Sequence, residues 1–557
     1  MGFNSFNFIL IFMPVLLIFW NLLNRAKKYI WADIFLTAMS LFYYYTFGAA
    51  FLLVFAGSMA VNYLLSYLIE RFSSSKKIFG IIGVVFNLSL LFYCKYLGFF
   101  ADNINALLHL DLSVKEILMP IGISFFTFGQ ISFIVDRAKG EAPHYPFISY
   151  ALYMSYFPKL IQGPIAFHKE MIDQFNDRSK RRFDADLFAR GLMSFIIGLA
   201  KKVILADTLA LCVDYGFHYT YFLDTLTVIV VMLAYTFQIY LDFSGYCDMA
   251  QGVSMMLGFR LPDNFNSPYK AKTAKELWQR WHMTLSRFFV KYVYIPLGGS
   301  RKGKVRTVLN VLIVFTLSGL WHGAGWTYIC WGLMQGLLVV WDDLGIVGVK
   351  DPRDKKSKGN SALSSSEGTD IEGTNKEKTG IEGIGKERTE KELTEIEQTE
   401  KRQTKKEQKE KYLLRDKPLI TVPAAFTTAM TFIMFVVSLV FFRSQDMTYA
   451  MQMFKRLFFW TYPGFLYRTA SQLEIAENYV PRQLLSILGV EQGERIVYMA
   501  TLIILLVVSA FIMTRKNTKE IVESTTFRKR TVIALAIIFV WSFISLSNVS
   551  TFIYFQY

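Results

Sequence analysis

Leu317-Ser-Gly-Leu-Trp-His-Gly-Ala-Gly-Trp326 separates two apolar runs of the chain, and each run is short for a membrane span. The preceding run, Val308–Trp321, has 14 residues, and the following run, Trp326–Trp341, has 16 residues. At 1.5 Å per residue these would form helices about 21 and 24 Å long, less than the roughly 30 Å of a bilayer core. The sequence therefore predicts two half-length helices that meet at His322-Gly-Ala-Gly325 within the membrane, where non-helical backbone is tolerated only inside protein or beside water.

The composition of the whole chain is also that of a membrane protein. Of its 557 residues, 53% are apolar, 16% are aromatic and only 19% are charged. The tract 350–417 alone holds 34 of the 104 charged residues, so the remainder is poorer still in charge. Such a chain is dissolved mostly in lipid, which excludes a soluble multidomain enzyme, a disulfide-stapled secreted protein and a disordered scaffold.

Ten apolar runs are candidate membrane spans, which predicts an all-α polytopic membrane protein. They are Phe8–Leu23, Ala32–Phe47, Ala49–Ile69, Ile78–Leu97, Ile117–Val135, Leu192–Val213, Thr225–Asp242, Ile420–Phe442, Tyr498–Met513 and Val532–Ser547. Basic residues follow the first, third and penultimate runs, at Arg25–Lys28, Arg71–Lys77 and Arg515–Arg530. The positive-inside rule makes these loops cytoplasmic and places both termini outside the cell membrane. Ile148–Phe167 lies between two basic loops and is predicted to dip into the membrane and return.

The tract Lys350–Lys417 divides the chain into three predicted regions: a membrane region 1–349, a charged cytoplasmic linker 350–417 and a second membrane region 418–557. Its apolar residues are too sparse for a packed core, so it is predicted to be a disordered or weakly helical spacer. The alternative is an adaptor site for partners.

The net charge of +16 otherwise lies in short loops beside apolar runs rather than in one exposed patch, so no nucleic-acid partner is predicted.

Two polar side chains lie within the apolar segment that begins at Thr225. Gln238 and Asp242 are one helical turn apart and share a face, and Gly245 is predicted to interrupt the run. A carboxylate within a membrane is usually turned inward and functional, which makes both residues candidates for the core of a site. The alternative is a structural Asp that bonds backbone groups at a helix break.

The segment Glu276–Arg287 is too polar for a lipid-facing span and too aromatic for a free loop, so an amphipathic or re-entrant helix is predicted. Such a helix would bring Trp278, His282 and Leu285 to one side. The residues pointing elsewhere are Gln279, Arg280 and Arg287. A histidine beside tryptophan is often structural, and this alternative stays open for His282.

His282 and His322 are the candidate catalytic residues, because imidazole can accept and return a proton near neutral pH. Six of the ten tryptophans fall between Trp278 and Trp341, which fits an interfacial belt together with a walled substrate tunnel. No metal site is predicted, because no H-x-x-x-H or C-x-x-C spacing occurs. The remaining histidines, assigned to loops or interfaces, are His109, His144, His168 and His218. The cysteines, predicted to be reduced core residues, are Cys94, Cys212, Cys247 and Cys330.

A series of ordered motifs resembles the membrane-bound O-acyltransferase family, and within it the alginate O-acetyltransferase branch. The motifs are Pro120-Ile-Gly-Ile-Ser-Phe-Phe-Thr-Phe128, Phe157-Pro-Lys-Leu-Ile-Gln-Gly-Pro164, Gly198-Leu-Ala-Lys-Lys-Val-Ile-Leu-Ala-Asp207, Gln238-Ile-Tyr-Leu-Asp-Phe-Ser-Gly245, Trp278-Gln-Arg-Trp-His282, Tyr294-Ile-Pro-Leu-Gly-Gly299, Leu320-Trp-His-Gly323 and the terminal stretches Phe6–Pro14 and Phe552–Phe555. Two departures concern the acceptor and partner: Lys291 stands where the branch usually has an acidic residue, and Phe167-His168 stands where a basic residue is common.

The resemblance implies that His322 is the invariant family histidine and that His282 is its second catalytic residue. It also implies a ring of transmembrane and re-entrant helices around a thin central floor, with funnels on both faces. The donor would be acetyl-CoA from the cytoplasm, with no permanently bound cofactor. An esterase-like partner outside the membrane would complete transfer to the polymer.

The predicted function is that of a membrane O-acetyltransferase that acts on hydroxyls of an exported cell-surface polysaccharide. The supporting residues of the predicted site are Gln238, Asp242, Trp278, Arg280, Trp281, Trp321 and Gly323. Backbone amides near Gly323 are candidates for stabilising the oxyanion. The alternatives are transfer of D-alanine from a carrier protein to teichoic acid and, from another class, a polysaccharide or lipid transporter, for which paired broken helices are expected.

Overall fold

The computed structural model describes residues 1–115, 117–350, 418–461 and 464–548. The described residues are mostly helical, and the only strands among them are two short ones, β1 (Val347–Lys350) and β2 (Ile420–Pro423), which pair in parallel. The helices before β1 are α1 (Met13–Arg25), α2 (Tyr29–Tyr45), α3 (Ala49–Arg71), α4 (Lys76–Leu91), α5 (Leu97–Leu108), α6 (Ile123–Lys139), α7 (Phe147–Ser155), α8 (Phe157–Leu160), α9 (His168–Asn176), α10 (Ala185–Ala200), α11 (Asp207–His218), α12 (Thr225–Met256), α13 (Ala274–Trp278), α14 (Met283–Phe289), α15 (Lys304–His322) and α16 (Trp326–Asp343).

The C-terminal part adds a second set of helices. They are α17 (Ala424–Arg443), α18 (Met447–Arg456), α19 (Gly464–Ala470), α20 (Tyr479–Ile487), α21 (Gly493–Thr514), α22 (Thr518–Ser524) and α23 (Lys529–Ile544). Short π-helical segments at Phe8–Phe12, Phe92–Tyr96, Lys201–Ala206 and Val290–Tyr294 join or extend neighbouring helices. The predicted linker 350–417, apart from its first residue, and the terminal motif Phe552–Phe555 lie outside the described residues.

Seven helical segments of the described chain are long and apolar enough to cross a membrane. They are Phe8–Arg25, Ala49–Arg71, Ser73–Leu108, Thr225–Met256, Lys304–His322, Ala424–Arg443 and Gly493–Thr514. This confirms the predicted all-α, multi-pass membrane architecture. The segment predicted to dip and return forms only α7 and α8, of nine and four residues, which are too short to cross a bilayer.

The central helix is α12, and the predicted interruption at Gly245 is wrong because α12 runs unbroken through all 32 residues. Gly245 instead permits a close approach to α10, since a Cβ atom there would lie 2.8 Å from the carbonyl oxygen of Gly198. A Cβ atom on Gly252 would likewise lie 2.5 Å from the carbonyl oxygen of Gly191. Small residues that let two backbones approach closely are typical of helix packing within membranes.

The prediction of two half-length helices around His322 is also wrong. The helices α15 and α16 have 19 and 18 residues, about 29 and 27 Å, and they fold back on each other as a hairpin. A Cβ atom on Gly319 would lie 2.2 Å from the Tyr328 carbonyl oxygen and 3.0 Å from the Cα atom of Gly332, so the two backbones are in contact. The segment around Gly323 is therefore the turn of this hairpin.

The predicted single helix over Glu276–Arg287 is divided in two. The helix α13 ends at Trp278, and α14 begins only at Met283. Between them His282 has φ 44°, in the left-handed region, so it cannot lie on the same helical face as Trp278. The break turns the His282 side chain away from the direction that helical spacing predicts.

Ion pairs hold two of the basic loops against neighbouring segments of the chain. Arg181 pairs with Asp33 beside the loop after α1, and Lys519 pairs with Asp263 beside the loop after α21. The N-terminal ammonium of Met1 lies at the opposite end of α2, where it donates to Thr46. Helix α23 likewise begins in the basic loop and ends at the other end, so the described beginning and end of the chain lie away from the basic loops.

Candidate active site

His322 is the last residue of α15 and lies in an aromatic cage at the hairpin turn. Only 3% of its surface is exposed. The centroids of the Trp321, Trp331 and Phe442 rings lie 4.9, 5.2 and 5.2 Å from that of His322. Phe442 comes from α17, so the region after residue 417 helps to form the cage.

His282 lies beside His322, with the two imidazole centroids 6.4 Å apart. It is completely buried at the break between α13 and α14, against Phe243 of α12 and Trp321. Burial disfavours the charged imidazolium and lowers the pKa of His282 to about 3, so this ring is neutral at physiological pH. The structure thus brings together two histidines that are 40 positions apart in the sequence.

Asn264 fixes the orientation of His282, and the sequence analysis missed it. Its Oδ1 atom accepts hydrogen bonds from the backbone N–H of Thr284 at 3.3 Å and from the Thr284 hydroxyl at 2.9 Å. The same oxygen lies 3.0 Å from His282 Nδ1. Because a backbone N–H can only donate, this Asn264 atom is the amide oxygen, and His282 Nδ1 must carry the proton. The neutral ring then presents Nε2 as a hydrogen-bond acceptor.

Lys95 is a second residue that the sequence analysis missed. Its Nζ atom donates to the carbonyl oxygens of Trp321 at 2.7 Å and His322 at 3.0 Å. Tyr96 donates to the neighbouring carbonyl of Leu320 at 3.0 Å. A cation at these carbonyls satisfies the C-terminal end of α15 and complements its dipole. A lysine inside the apolar run Ile78–Leu97 was the available signal, because ionisable residues in such runs usually have a role.

Two cavities approach the histidine pair from opposite ends of the molecule. A cavity of about 30 Å³ lies between Lys95, Pro120, Ser124 and His322, at the end away from the basic loops. This volume is sufficient for a water-sized group. A larger cavity of about 180 Å³ opens at the basic end and reaches Asn264, which contacts His282.

The predicted pair Asp242 and Gln238 lies on the central helix behind the histidines. Both side chains are buried. Asp242 accepts a hydrogen bond from Lys202 at 2.6 Å, and Lys202 also pairs with Asp207 at 2.8 Å. Asp242 therefore belongs to a buried charge network between α12 and the π-helical segment after α10, while its neighbour Phe243 faces His282.

The predicted tryptophans divide between the site and its surroundings. Trp321 contacts both histidine rings. Trp278 donates to Gln335 and packs against Trp331, so it supports the cage from behind. Trp281 packs against other aromatic residues, among them Tyr240, Phe265 and Phe435. Of the six tryptophans between Trp278 and Trp341, the exposed ones are Trp326 and Trp341.

Arg280 and Gly323 do not have the positions that the sequence suggested. Arg280 is partly exposed and pairs with Glu276 at 2.8 Å. The amide of Gly323 donates to the Gly319 carbonyl at 3.3 Å, so it ends α15 rather than offering an oxyanion donor. A Cβ atom on Gly323 would lie 2.2 Å from the Tyr328 ring, and glycine is required there by close packing.

The assignment of His168 to a loop or interface is wrong, because its side chain is buried at the start of α9. Its Nε2 lies 3.3 Å from Asp136, and its Nδ1 lies 3.0 Å from the Tyr145 hydroxyl. Lys291 also pairs with Asp136 at 3.0 Å. The two departures from the family pattern therefore meet in one ion network, which ties the segment after α14 to α6. The four cysteines are free thiols; Cys212 and Cys247 are buried, as predicted, whereas Cys94 and Cys330 are only half-buried.

Comparison with known proteins identifies the class of enzyme. A peptidoglycan O-acetyltransferase of Helicobacter pylori is 38% identical to this chain over 363 residues, which are 60% of this chain and 69% of the relative. The sequence model of the membrane-bound O-acyltransferase family matches residues 114–364, a range that includes both site histidines. The chain belongs to this family. The protein is an acyltransferase, which confirms the predicted membrane-bound O-acyltransferase and excludes the transporter alternative.

Other relatives of this O-acyltransferase refine the comparison. The probable alginate O-acetylase AlgI of Pseudomonas aeruginosa is 39% identical over 346 residues, 60% of this chain and 65% of the relative. A teichoic acid D-alanyltransferase of Bacillus subtilis is 29% identical over 236 residues, 39% of this chain and 58% of the relative. The O-acetyltransferases are thus more similar to this chain, and over a longer range, than the D-alanyltransferase.

Proposed function

We propose that this acyltransferase moves an acetyl group from acetyl-CoA to hydroxyls of an exported cell-surface polysaccharide. The relatives at 38–39% identity are named for O-acetylation of peptidoglycan or alginate, and both acceptors are glycans. The observation that carries the proposal is the placement of His282 and His322. The two buried imidazoles lie 6.4 Å apart between cavities that open at opposite ends of the molecule.

The proposed chemistry assigns proton transfer to His322. Its imidazole takes the proton from the acceptor hydroxyl while the hydroxyl oxygen attacks the thioester carbonyl carbon. When the carbon–sulfur bond breaks, the imidazolium returns the proton to the departing sulfur. The products are an acetyl ester and free coenzyme A. Three aromatic rings pack around His322 and reduce the space for water beside it, which limits hydrolysis of the thioester.

His282 is proposed to orient the reactants rather than to protonate them. With its proton held on Nδ1 by Asn264, the neutral ring has only Nε2 to offer, and that atom accepts a hydrogen bond. An acceptor at this position aligns the hydroxyl before its proton leaves. The arrangement has the form of a catalytic histidine held in one tautomer by a buried partner.

The two substrates are proposed to arrive from opposite faces of the cell membrane. Acetyl-CoA would enter the larger cavity from the cytoplasm, where the exposed Arg260 lines the opening and could contact a phosphate group. The acceptor hydroxyl would reach His322 from the outer face, directly or through an esterase-like partner. This orientation puts the tract 350–417 in the cytoplasm and both termini outside, in accordance with the positive-inside rule.

The test is reconstitution of the full chain in proteoliposomes that contain radiolabelled acetyl-CoA. We expect label to pass to an acceptor glycan outside the vesicles, and a D-alanyl thioester on a carrier protein to give no transfer. Transfer from the carrier and not from acetyl-CoA would replace the proposal with the D-alanylation alternative. Mass analysis of exported polymer from cells with and without this chain then identifies the acceptor.

A further inference from the structure

A groove unrelated to the histidine site lies at the basic end, between the end of α1 and the loop that follows α9. Its volume is about 710 Å³. Its cationic lining consists of Arg25, Lys27, Arg178, Arg181 and Arg182, and none of its lining residues is acidic. Arg181 is held by Asp33 at 2.7 Å. The other four cations form no ion pair with any residue that the structure describes, so the groove has the charge to bind an anion.

One wall of the groove is apolar and continues onto a membrane-spanning surface. The wall includes Leu17, Ile18 and Leu22 of α1, with Phe183 and Phe188 opposite. Helix α1 is part of a candidate span, and Ile18 is 56% exposed, as expected for a side chain that faces acyl chains. The groove therefore joins a cationic region at the membrane surface to an apolar region at the depth of the lipid chains. Free phosphate would contact only the cationic region.

Asn24 provides a separate indication of a ligand. Its side chain is only 6% exposed and lines the groove. The amide nitrogen donates to the Trp20 carbonyl at 2.8 Å, whereas Oδ1 is buried and has no hydrogen-bond partner among the described residues. A buried acceptor without a partner is costly, and a ligand hydroxyl would satisfy it.

We propose that this groove binds an anionic phospholipid of the adjacent leaflet whose head group carries a hydroxyl. The phosphate lies among the unpaired cations, the acyl chains run along Ile18 and Leu22, and the head-group hydroxyl donates to Asn24. Basic pockets beside spanning helices on the cytoplasmic side are suited to such lipids. The site does not depend on the acetyl-transfer proposal, and its test does not measure catalysis.

The experiment compares lipids on the purified full chain in detergent, by native mass spectrometry and thermal unfolding. The probes are phosphatidylglycerol, phosphatidic acid and phosphatidylcholine with identical acyl chains, together with inorganic phosphate. We expect retention and stabilisation by the two anionic lipids only. The triple variant Arg25→Gln, Lys27→Gln, Arg182→Gln should weaken their binding at least about tenfold, because each surface cation contributes to anionic-lipid affinity.

The matched control is Arg528→Gln, Lys529→Gln, Arg530→Gln, which removes three exposed charges from another basic loop. It should bind phosphatidylglycerol like the unmodified chain. Equal loss in both triple variants, equal binding of phosphatidylcholine, or an equal effect of inorganic phosphate would overturn the site. Asn24→Ala should weaken phosphatidylglycerol binding more than phosphatidic acid binding, because phosphatidic acid lacks the head-group alcohol, and equal weakening of both would overturn the role of Asn24.

Discussion

Asn264 Oδ1 lies 3.0 Å from His282 Nδ1 in the interior of this acyltransferase. The same oxygen accepts from two groups of Thr284, and the Thr284 hydroxyl accepts from the backbone N–H of Ile165 at 3.0 Å. A chain of hydrogen bonds therefore runs from the loop before α9 to the imidazole. It holds the ring in one tautomer, and each member can be changed separately.

Replacement of Asn264 by Asp should make catalysis dependent on pH. A carboxylate next to the imidazole favours the imidazolium, so the pKa of His282 rises from about 3 toward neutrality. His282 then loses its acceptor form as the pH falls through the raised pKa. We expect the acidic limb of the kcat profile to move to higher pH. Thr284→Ser keeps the hydroxyl and serves as the control, with an unchanged profile. An unmoved limb in Asn264→Asp would show that His282 does not act in catalysis.

Replacement of His322 by Ala should reduce acetyl transfer at least about 100-fold, because a positioned general base contributes about 10² to 10⁴ in rate. Expression and the thermal unfolding midpoint should change far less. The control is His218→Gln, which alters an exposed histidine at the end of α11. Transfer assays in membranes measure both variants, and an active His322→Ala chain would remove the proposed base.

Lys202→Met should destabilise the protein rather than change its substrate. Lys202 is fully buried between the carboxylates of Asp207 and Asp242, and its loss leaves two buried negative charges together. Removal of one partner of a buried ion pair lowers the free energy of unfolding by about 3–5 kcal/mol. We expect a lower unfolding midpoint and less folded protein on size exclusion. The triple variant with Asp207→Asn and Asp242→Asn should recover most of the loss, and failure to do so would indicate another role for the lysine.

Gly319→Ala should separate the two helices of the hairpin. The added methyl group would lie 2.2 Å from the Tyr328 carbonyl oxygen, so α15 must move away from α16. Such overpacking costs about 1–3 kcal/mol and displaces His322, which lies one turn further along α15. Acetyl transfer and the unfolding midpoint should both fall. Gly57→Ala is the control, because Gly57 lies inside α3 with no atom within 4 Å of the added methyl group; a similar effect there would argue against the packing explanation.

The sequence predicted the class of fold and the two histidines that the structure brings together, but not the hairpin. Apolar runs identify spanning helices because the free-energy cost of placing a polar side chain in lipid depends on that residue and not on contacts distant in the sequence. The run Val308–Trp321 omitted the first turn of α15, which contains the exposed residues Lys304 and Arg306. Helix length was therefore underestimated, and a full-length helix was taken for half of one.

The surroundings of the histidines could not be derived from spacing. Asn264 lies 18 positions before His282 in an irregular segment, and only the return of that loop brings it into contact. The break at His282 depends on a positive φ, which hydrophobic periodicity does not detect. Lys95 was detectable as a charge in an apolar run, but its partners are backbone carbonyls of α15, which no side-chain pattern reports.

Because β1 and β2 form a parallel ribbon, we expect the enzyme to tolerate changes in chain length between them. Val347 pairs with Ile420, so the ends of the intervening interval are fastened side by side next to α16 and α17. Each doubling of the number of residues in a loop closed in this way adds only about 0.6 kcal/mol to the entropic free-energy cost of closing it. We therefore expect that a reporter domain grafted between β1 and β2, or a shortened interval there, leaves the hairpin of α15 and α16 in place.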